Sequence, residues 1–292
     1  MRLSPPRSGR GRRRRYAHER AEQLADFAVK ALIAEAMLTP KPALVDQRGC
    51  GAHHDLDLQR LLRSAAALRE SFCCMALHAA AGGANVELRE KLGAIGRQGE
   101  RRMLAATGGS NAHRGAIWVL GLLVAALALA RPRTTLTEIA ALAAALARLP
   151  DRHAPGLPSN GSRACQRFGV GGARGEAAAG FPHVLRLGLP VLQRSRACGS
   201  EETWARLDAL MAIMSSLDDT CLLHRGGWPA VRAAQCGASR VLALGGTATT
   251  AGRQALLALD AELVRRHASP GGGADLLAAC VFLDDVQCQP LS

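Results

Sequence analysis

The residues able to do chemistry in this chain gather in five short stretches. The first, Thr39–Asp57 (TPKPALVDQRGCGAHHDLD), holds Lys41, Asp46, His53, Asp55 and Asp57 together with two prolines and two glycines. A plain connector between helices needs none of these. Pro40 and Pro42 each fix φ and remove a backbone donor, so the chain leaves the preceding helix in a set direction. The other four are TGGSNAHRG (107–115), GGARGEAAAGFP (171–182), DDTCLLHRGG (218–227) and SPGGGADLLA (269–278). Each sets glycines beside charged residues at or near a helix start, where unpaired amides and the helix dipole favour an anion. Asp46, Asp55, Asp57, Glu176, Asp218 and Asp219 are more carboxylates than a helical core carries without a cation. Hard Mg²⁺ fits, because it takes a few carboxylates and engages substrate phosphates. His53, His54, His113 and His224 suit phosphate contact or proton transfer instead. Glu35, one turn before a helix end, sits where the dipole disfavours an acid, which points towards function.

Blander readings compete at several positions. SPGGGAD can be a turn with Asp275 as a helix cap, and HRGG can be a glycine C-cap. His78 and His183 read as ordinary histidines, and Asp284 and Asp285 as a solvated face. The chain has no P-loop, no G-x-G-x-x-G after a strand and no kinase signature.

The elements that must position these stretches are helices. Almost half the residues are apolar, aromatics are only 3%, and Ala and Leu dominate. Ala and Leu are strong helix formers, and β-branched residues are scarce. Helical spacing runs over 18–38, from a cap at Asp55 or Asp57 to about 80, and over 85–106. It continues over 116–130, 134–149, 173–186, 201–217, 229–244, 250–267 and 274–285. Residues 116–130 (AIWVLGLLVAALALA) are apolar throughout, but shorter than the ~20 residues that span a bilayer. The expected fold is all-α: a single compact multi-helix bundle over 18–288, a central buried apolar helix, and glycine-rich loops forming the site. Residues 150–170, rich in Pro and Gly, read as a mobile loop rather than a domain boundary.

The formal charge of +13 is concentrated at one end, because residues 1–15 hold seven arginines and no acid. Residues 1–17 read as a disordered Arg-rich tail, and they alone support a nucleic-acid-binding alternative. Arg outnumbers Lys by 34 to 3, a mark of GC-rich coding. Nine cysteines with no C-x-x-C imply reduced thiols in a cytoplasmic protein. From the residues alone the reading is an all-helical enzyme that binds a polyphosphate through Mg²⁺ and basic loops.

Taken in order, KPALVD with GAHHDLD, TGGSNAHRG, GGARGEAAAGFP, DTCLLHRGG and SPGGGADLLA resemble the signature blocks of the triphosphoribosyl-dephospho-CoA synthases, which serve citrate lyase and malonate decarboxylase. The resemblance runs from about Glu35 to Leu277. It departs from the family pattern by small changes at Ala43, Ser110–Ala112 and Gly273. It implies transfer of the 5-triphosphoribosyl group of ATP to the 2′-hydroxyl of 3′-dephospho-CoA with release of adenine. The product would pass to a phosphoribosyl-dephospho-CoA transferase and an acyl carrier subunit, with no membrane or nucleic-acid partner. On that footing Asp55, Asp57 and Asp218 are expected to hold Mg²⁺, and Glu35, Asp46, Glu176 and Asp219 to serve the reacting centre. Lys41, His53, Asn111, His113, Arg114, Arg174, His224, Arg225, Gly271 and Gly272 are expected to contact nucleotide and phosphates. The free-standing chain and its GC-rich coding incline the reading to malonate decarboxylase. The alternative enzyme is a Mg²⁺-dependent helical hydrolase of an ADP-ribose-like or nucleotide substrate.

Overall fold

The computed structural model describes residues 8–156 and 158–289, with side chains from residue 15 onward. In chain order the helices are α1 (Ser8–Met37), α2 (Leu58–Ala67), α3 (Arg69–Ala80), α4 (Val86–Thr107), α5 (Arg114–Leu129), α6 (Leu136–Arg148), α7 (Asn160–Phe168) and α8 (Gly172–Ala178). A π-helical segment (His183–Gly188) then runs into α9 (Leu189–Ala197), followed by α10 (Glu202–Met214), α11 (Thr220–Ala243), α12 (Thr250–Arg265) and α13 (Gly271–Cys288). Among the described residues there is no strand, and one isolated bridge joins Asp46 and Gly49. The fold is all-α.

Helix starts follow side-chain chemistry. Asp57, Asn85, Ser159, Asp219 and Thr249 each accept an amide of the first turn of α2, α4, α7, α11 and α12. Thr135 and Glu138 form a reciprocal capping box on α6. Helix α5 is buried from Ala116 to Leu127 except at Trp118. It packs against α1, α3, α4, α6, α8 and α13. Its all-round apolar surface leaves it no solvent face, so it lies inside the bundle. No described helix is long and apolar enough to cross a membrane.

Four expectations are corrected. The single helix expected up to residue 80 is two, divided at Leu68, whose amide turns to the nearer Ala65 O (3.2 Å). The stretch 150–170 contains α7, closed by a left-handed Gly169, so its glycines cap a helix as well as make a loop. Helix α1 begins at Ser8, so residues 8–17 of the expected disordered tail are helical, while residues 1–7 lie outside the described residues. Asp284 is buried and bonded to Arg196 (2.6 Å), and Asp285 pairs with Lys30, so neither belongs to a free solvated face. Helix α11 is also broken within itself. Gly227 has φ 62° and ψ −163°, and Pro229 follows without an amide to donate.

Candidate active site

The first stretch is tied from within. Asp46 is buried and accepts four donors: Thr39 Oγ1 (3.1 Å), the Lys41 amide (2.8 Å), the Arg48 amide (2.8 Å) and Arg48 Nε (2.9 Å). Burial works against the carboxylate, yet Arg48 and these amides hold its pKa below the ordinary value. Arg48 continues to Asp260 of α12 (2.8 Å), whose other oxygen accepts the Ala43 amide (2.7 Å). Gly51, at φ 56°, lies against the carbonyls of Ala43 and Leu44, where any Cβ would collide. Lys41 points inward. Its ammonium is buried and donates to Glu35 Oε1 (2.5 Å) and Glu35 O (2.7 Å).

The other stretches converge on this loop. Arg225 donates to Ala52 O (3.0 Å) and to His53 Nδ1 (3.2 Å). Since His53 Nδ1 accepts there, Nε2 carries the proton and donates to Ser269 Oγ (2.9 Å). Burial, then Arg225, push the His53 pKa down to about 4. Ser110 Oγ donates to Asp55 O (2.6 Å), bringing in the loop before α5. On the far side a Cβ at Gly172 would touch Thr220, so the start of α8 meets the start of α11.

Three helix starts are joined by two carboxylates. Asp219 caps α11 through the Cys221 amide (2.7 Å) and also accepts the Gly273 amide of α13 (3.0 Å). A side chain at Gly272 would crowd that carboxylate. Asp275 of α13 sits against Gly115 of α5, where a Cβ would collide with its carboxylate. Burial first, then Glu35 and Asp219, raise the Asp275 pKa well above the carboxylate range. His113, at the start of α5, is buried with Nδ1 bonded to Ser64 Oγ (2.6 Å). Its Nε2 is buried with no partner. Burial, then Lys41, lower its pKa to about 3, so the ring is neutral.

A second acid–base pair lies beside this hub. Glu176 is buried and holds the His183 amide (2.9 Å) and His183 Nδ1 (2.7 Å). The bond to Glu176 raises the His183 pKa, and Asp218 adds to it. His183, read from the sequence as ordinary, is thus the hydrogen-bonded partner of the buried Glu176.

A family model described as ATP:dephospho-CoA triphosphoribosyl transferase (CitG) matches residues 21–290. The chain belongs to this family. It is 56% identical over 270 residues to the probable 2-(5″-triphosphoribosyl)-3′-dephosphocoenzyme-A synthase of Azotobacter vinelandii, covering 91% of this chain and 92% of that one. It is 54% identical over 271 residues to the 2-(5″-triphosphoribosyl)-3′-dephosphocoenzyme-A synthase of Klebsiella pneumoniae, covering 93% and 97%. The probable synthase of Pseudomonas fluorescens is 57% identical over 268 residues, covering 91% and 92%. No solved structure matches. As a triphosphoribosyl-dephospho-CoA synthase, the protein is a transferase.

Placed in the synthase, the remaining expected residues divide. Asp55 and Asp218 are exposed, and Asp218 accepts a bond from Gln235 Nε2 (3.3 Å). Asp57 is engaged as the cap of α2 through the Arg60 amide (2.8 Å). Asn111 accepts the Arg114 amide (3.2 Å), and Arg114 pairs with Glu100. His224 is exposed beside Arg225, and Gly271 and Gly272 open α13. Arg174 lies over the Trp118 ring at 5.6 Å, on the α5–α8 side. Among the described residues no three His, Cys, Asp or Glu side chains gather as a metal-ligand set.

The sequence reading missed Asp275, Asp260, Ser64 and Ser269. Asp275 carried a signal, an acid two residues past a glycine triplet, but it was readable equally as a cap. Asp260 sits in an ordinary helical pattern, and nothing local marks it.

Proposed function

We propose that the chain transfers the 5-triphosphoribosyl group of ATP to the 2′-hydroxyl of 3′-dephospho-CoA and releases adenine. One observation supports this above the rest. The starts of α5, α11 and α13 are drawn together by Asp219 and Asp275 beside Lys41, His53 and Arg225. Helix starts and the exposed Arg225 guanidinium form a rigid cradle for a polyphosphate that is bound and never cleaved. Chemistry at the ribose C1 leaves the phosphates intact, which accounts for phosphate-type loops without a kinase or P-loop motif.

As adenine departs, C1 becomes oxocarbenium-like, and fixed carboxylates lower the cost of that charge. Glu35, Asp46 and Asp219 are held by protein donors, so their part is to shape and polarise the site. Asp275, whose proton affinity burial raises, and the Glu176–His183 pair are the titratable groups of this region. One proton must reach adenine and one must leave the acceptor hydroxyl. Mg²⁺ needs only one or two carboxylates when phosphates complete its shell. Asp55 and Asp218, whose carboxylates are not bound into a helix cap, are the residues that would hold it, and bound there it would neutralise the triphosphate. The acceptor product is the prosthetic-group precursor of an acyl carrier subunit, and malonate decarboxylase is the preferred destination.

Incubation with ATP, Mg²⁺ and 3′-dephospho-CoA, followed by chromatography, tests the reading. Free adenine that depends on dephospho-CoA is expected. Adenine without that dependence would mean a hydrolase, and ADP or AMP would mean phosphoryl or nucleotidyl transfer.

A further inference from the structure

A second cationic cluster lies on the α4–α5 face, and the first site does not use it. Arg89 of α4 is 6% exposed, and its Nε is buried with no hydrogen-bond partner. Its carboxylate neighbour is Asp151, whose Oδ2 is 3.6 Å from Arg89 Nη1. That same oxygen already accepts Arg97 Nη1 at 2.8 Å, and Asp151 Oδ1 accepts the His153 amide at 3.0 Å. The Trp118 ring carries two guanidinium groups, Arg89 at 4.9 Å and Arg174 at 5.6 Å. Such stacking orients guanidinium planes and leaves their edges free to donate. Two arginines thus share one committed carboxylate, and Arg174 joins them across the Trp118 ring. Burial, then the charges of Arg174 and Arg97, work against the charged form of Arg89, opposed by Asp151.

A buried guanidinium with an unmatched donor is costly unless an anion completes it. We propose that Arg89, Arg97 and Arg174 form an anion subsite for the diphosphate of a nucleotide, the acceptor 3′-dephospho-CoA. This rests on the two-substrate reading given above. Charge decides between the two polyphosphates. Three guanidiniums against one carboxylate leave two positive charges, matching the two negative charges of a diphosphate diester. The triphosphate of ATP carries more charge and calls for a cation, and the one carboxylate of this cluster is already spent on Arg97 and the His153 amide. Position fits as well. Trp118 lies one turn along α5 from Arg114, on the same helix face. Trp118 Nε1 also donates to Ala173 O of α8 (3.2 Å), next to Arg174. An acceptor anchored here lies along α5 from the helix starts that cradle ATP.

The test uses the full chain with Arg97→Gln, Arg174→Gln and the double variant. Arg89→Gln is added only if its circular dichroism and melting match the wild type. KM for 3′-dephospho-CoA and for ATP are measured, and inorganic pyrophosphate binding is followed by calorimetry. Each lost charge-assisted contact should raise KM for dephospho-CoA and the pyrophosphate Kd by about 10-fold or more. KM for ATP should stay within about two-fold, since no contact to it is removed. Unchanged dephospho-CoA and pyrophosphate affinities in the folded double variant overturn the subsite. So does a rise confined to ATP. Weakened pyrophosphate binding, with no adenine released by the wild type, would leave the subsite standing and remove the reaction. Adenine release with unaltered affinities would do the reverse.

Discussion

The hub around Glu35, Lys41, Asp46 and Asp219 and the cluster around Arg89, Arg97 and Arg174 treat charge in opposite ways. In the hub every one of those groups is matched by the protein itself. Lys41 meets Glu35, Asp46 meets four donors, and Asp219 meets the amides of two helices. In the arginine cluster, cations outnumber the carboxylate that holds them, and Arg89 keeps an unmatched Nε. The lesson is that density of charged residues does not locate ligand contact. A saturated group shapes the site, and an unsaturated one awaits a partner.

The largest effect should come from breaking the hub. Lys41→Met leaves Glu35 buried without its partner, and a loss of ~3–5 kcal/mol in urea unfolding is expected. Glu35→Gln with Lys41→Met should recover part of it. A Lys41→Met protein as stable as the wild type but inactive would move Lys41 from the fold to the substrate, and the comparison would fail.

Asp46→Ala should cost less, about 1.5–3 kcal/mol, because charge-assisted bonds to Arg48 and the loop amides are lost. Hydrogen exchange at Lys41 and Arg48 should rise with it. Unaltered exchange would mean that the loop is held elsewhere.

His113, buried, and His53, half-buried, give a pH signature. His53 and His113 have folded pKa values lowered to about 4 and about 3 from an ordinary 6.5. Their contribution to stability is complete above pH ~6.5. It is lost as pH falls below that value, because the unfolded chain takes up protons first. His183, raised by Glu176, runs the other way, and its contribution fades as pH climbs past its folded value. Unfolding measured from pH 7 to 4 should show a decline that His113→Asn makes shallower. An equal slope in that variant would remove His113 from the account.

Asp57 allows a finer separation. Asp57→Ala should lose ~1 kcal/mol as a helix cap, whereas Asp57→Asn keeps the cap and should change stability little. Asp57→Asn with intact stability but no adenine release would make Asp57 a metal ligand as well as a cap. The smallest stability change belongs to the arginine cluster. Arg97→Gln, partly exposed, should shift stability by less than ~1 kcal/mol while altering affinity.

Much of this was legible from the chain. Ala and Leu content gave the helices, Asp57 was one of two residues read as a helix start, and the five glycine-rich stretches proved to be neighbours. What local pattern could not carry was direction. Lys41 has the same sequence whether its ammonium faces phosphate or Glu35, and only the packing of α1 against the loop turned it inward. His183 and Asp284 looked ordinary because their partners, Glu176 and Arg196, are identified by contact rather than by period.

The sequence by itself determined the all-α fold, the family and the five stretches, because helix propensity, capping and motif order are properties of neighbours along the chain. The tertiary structure alone decided which charges are spent and which remain open. Asp260 reaches the first loop from a distant helix, Asp275 crosses to α5, and Arg89 buries its guanidinium beside Trp118. Pairing, desolvation and proton affinity depend on distances through space, and no spacing along the chain records them.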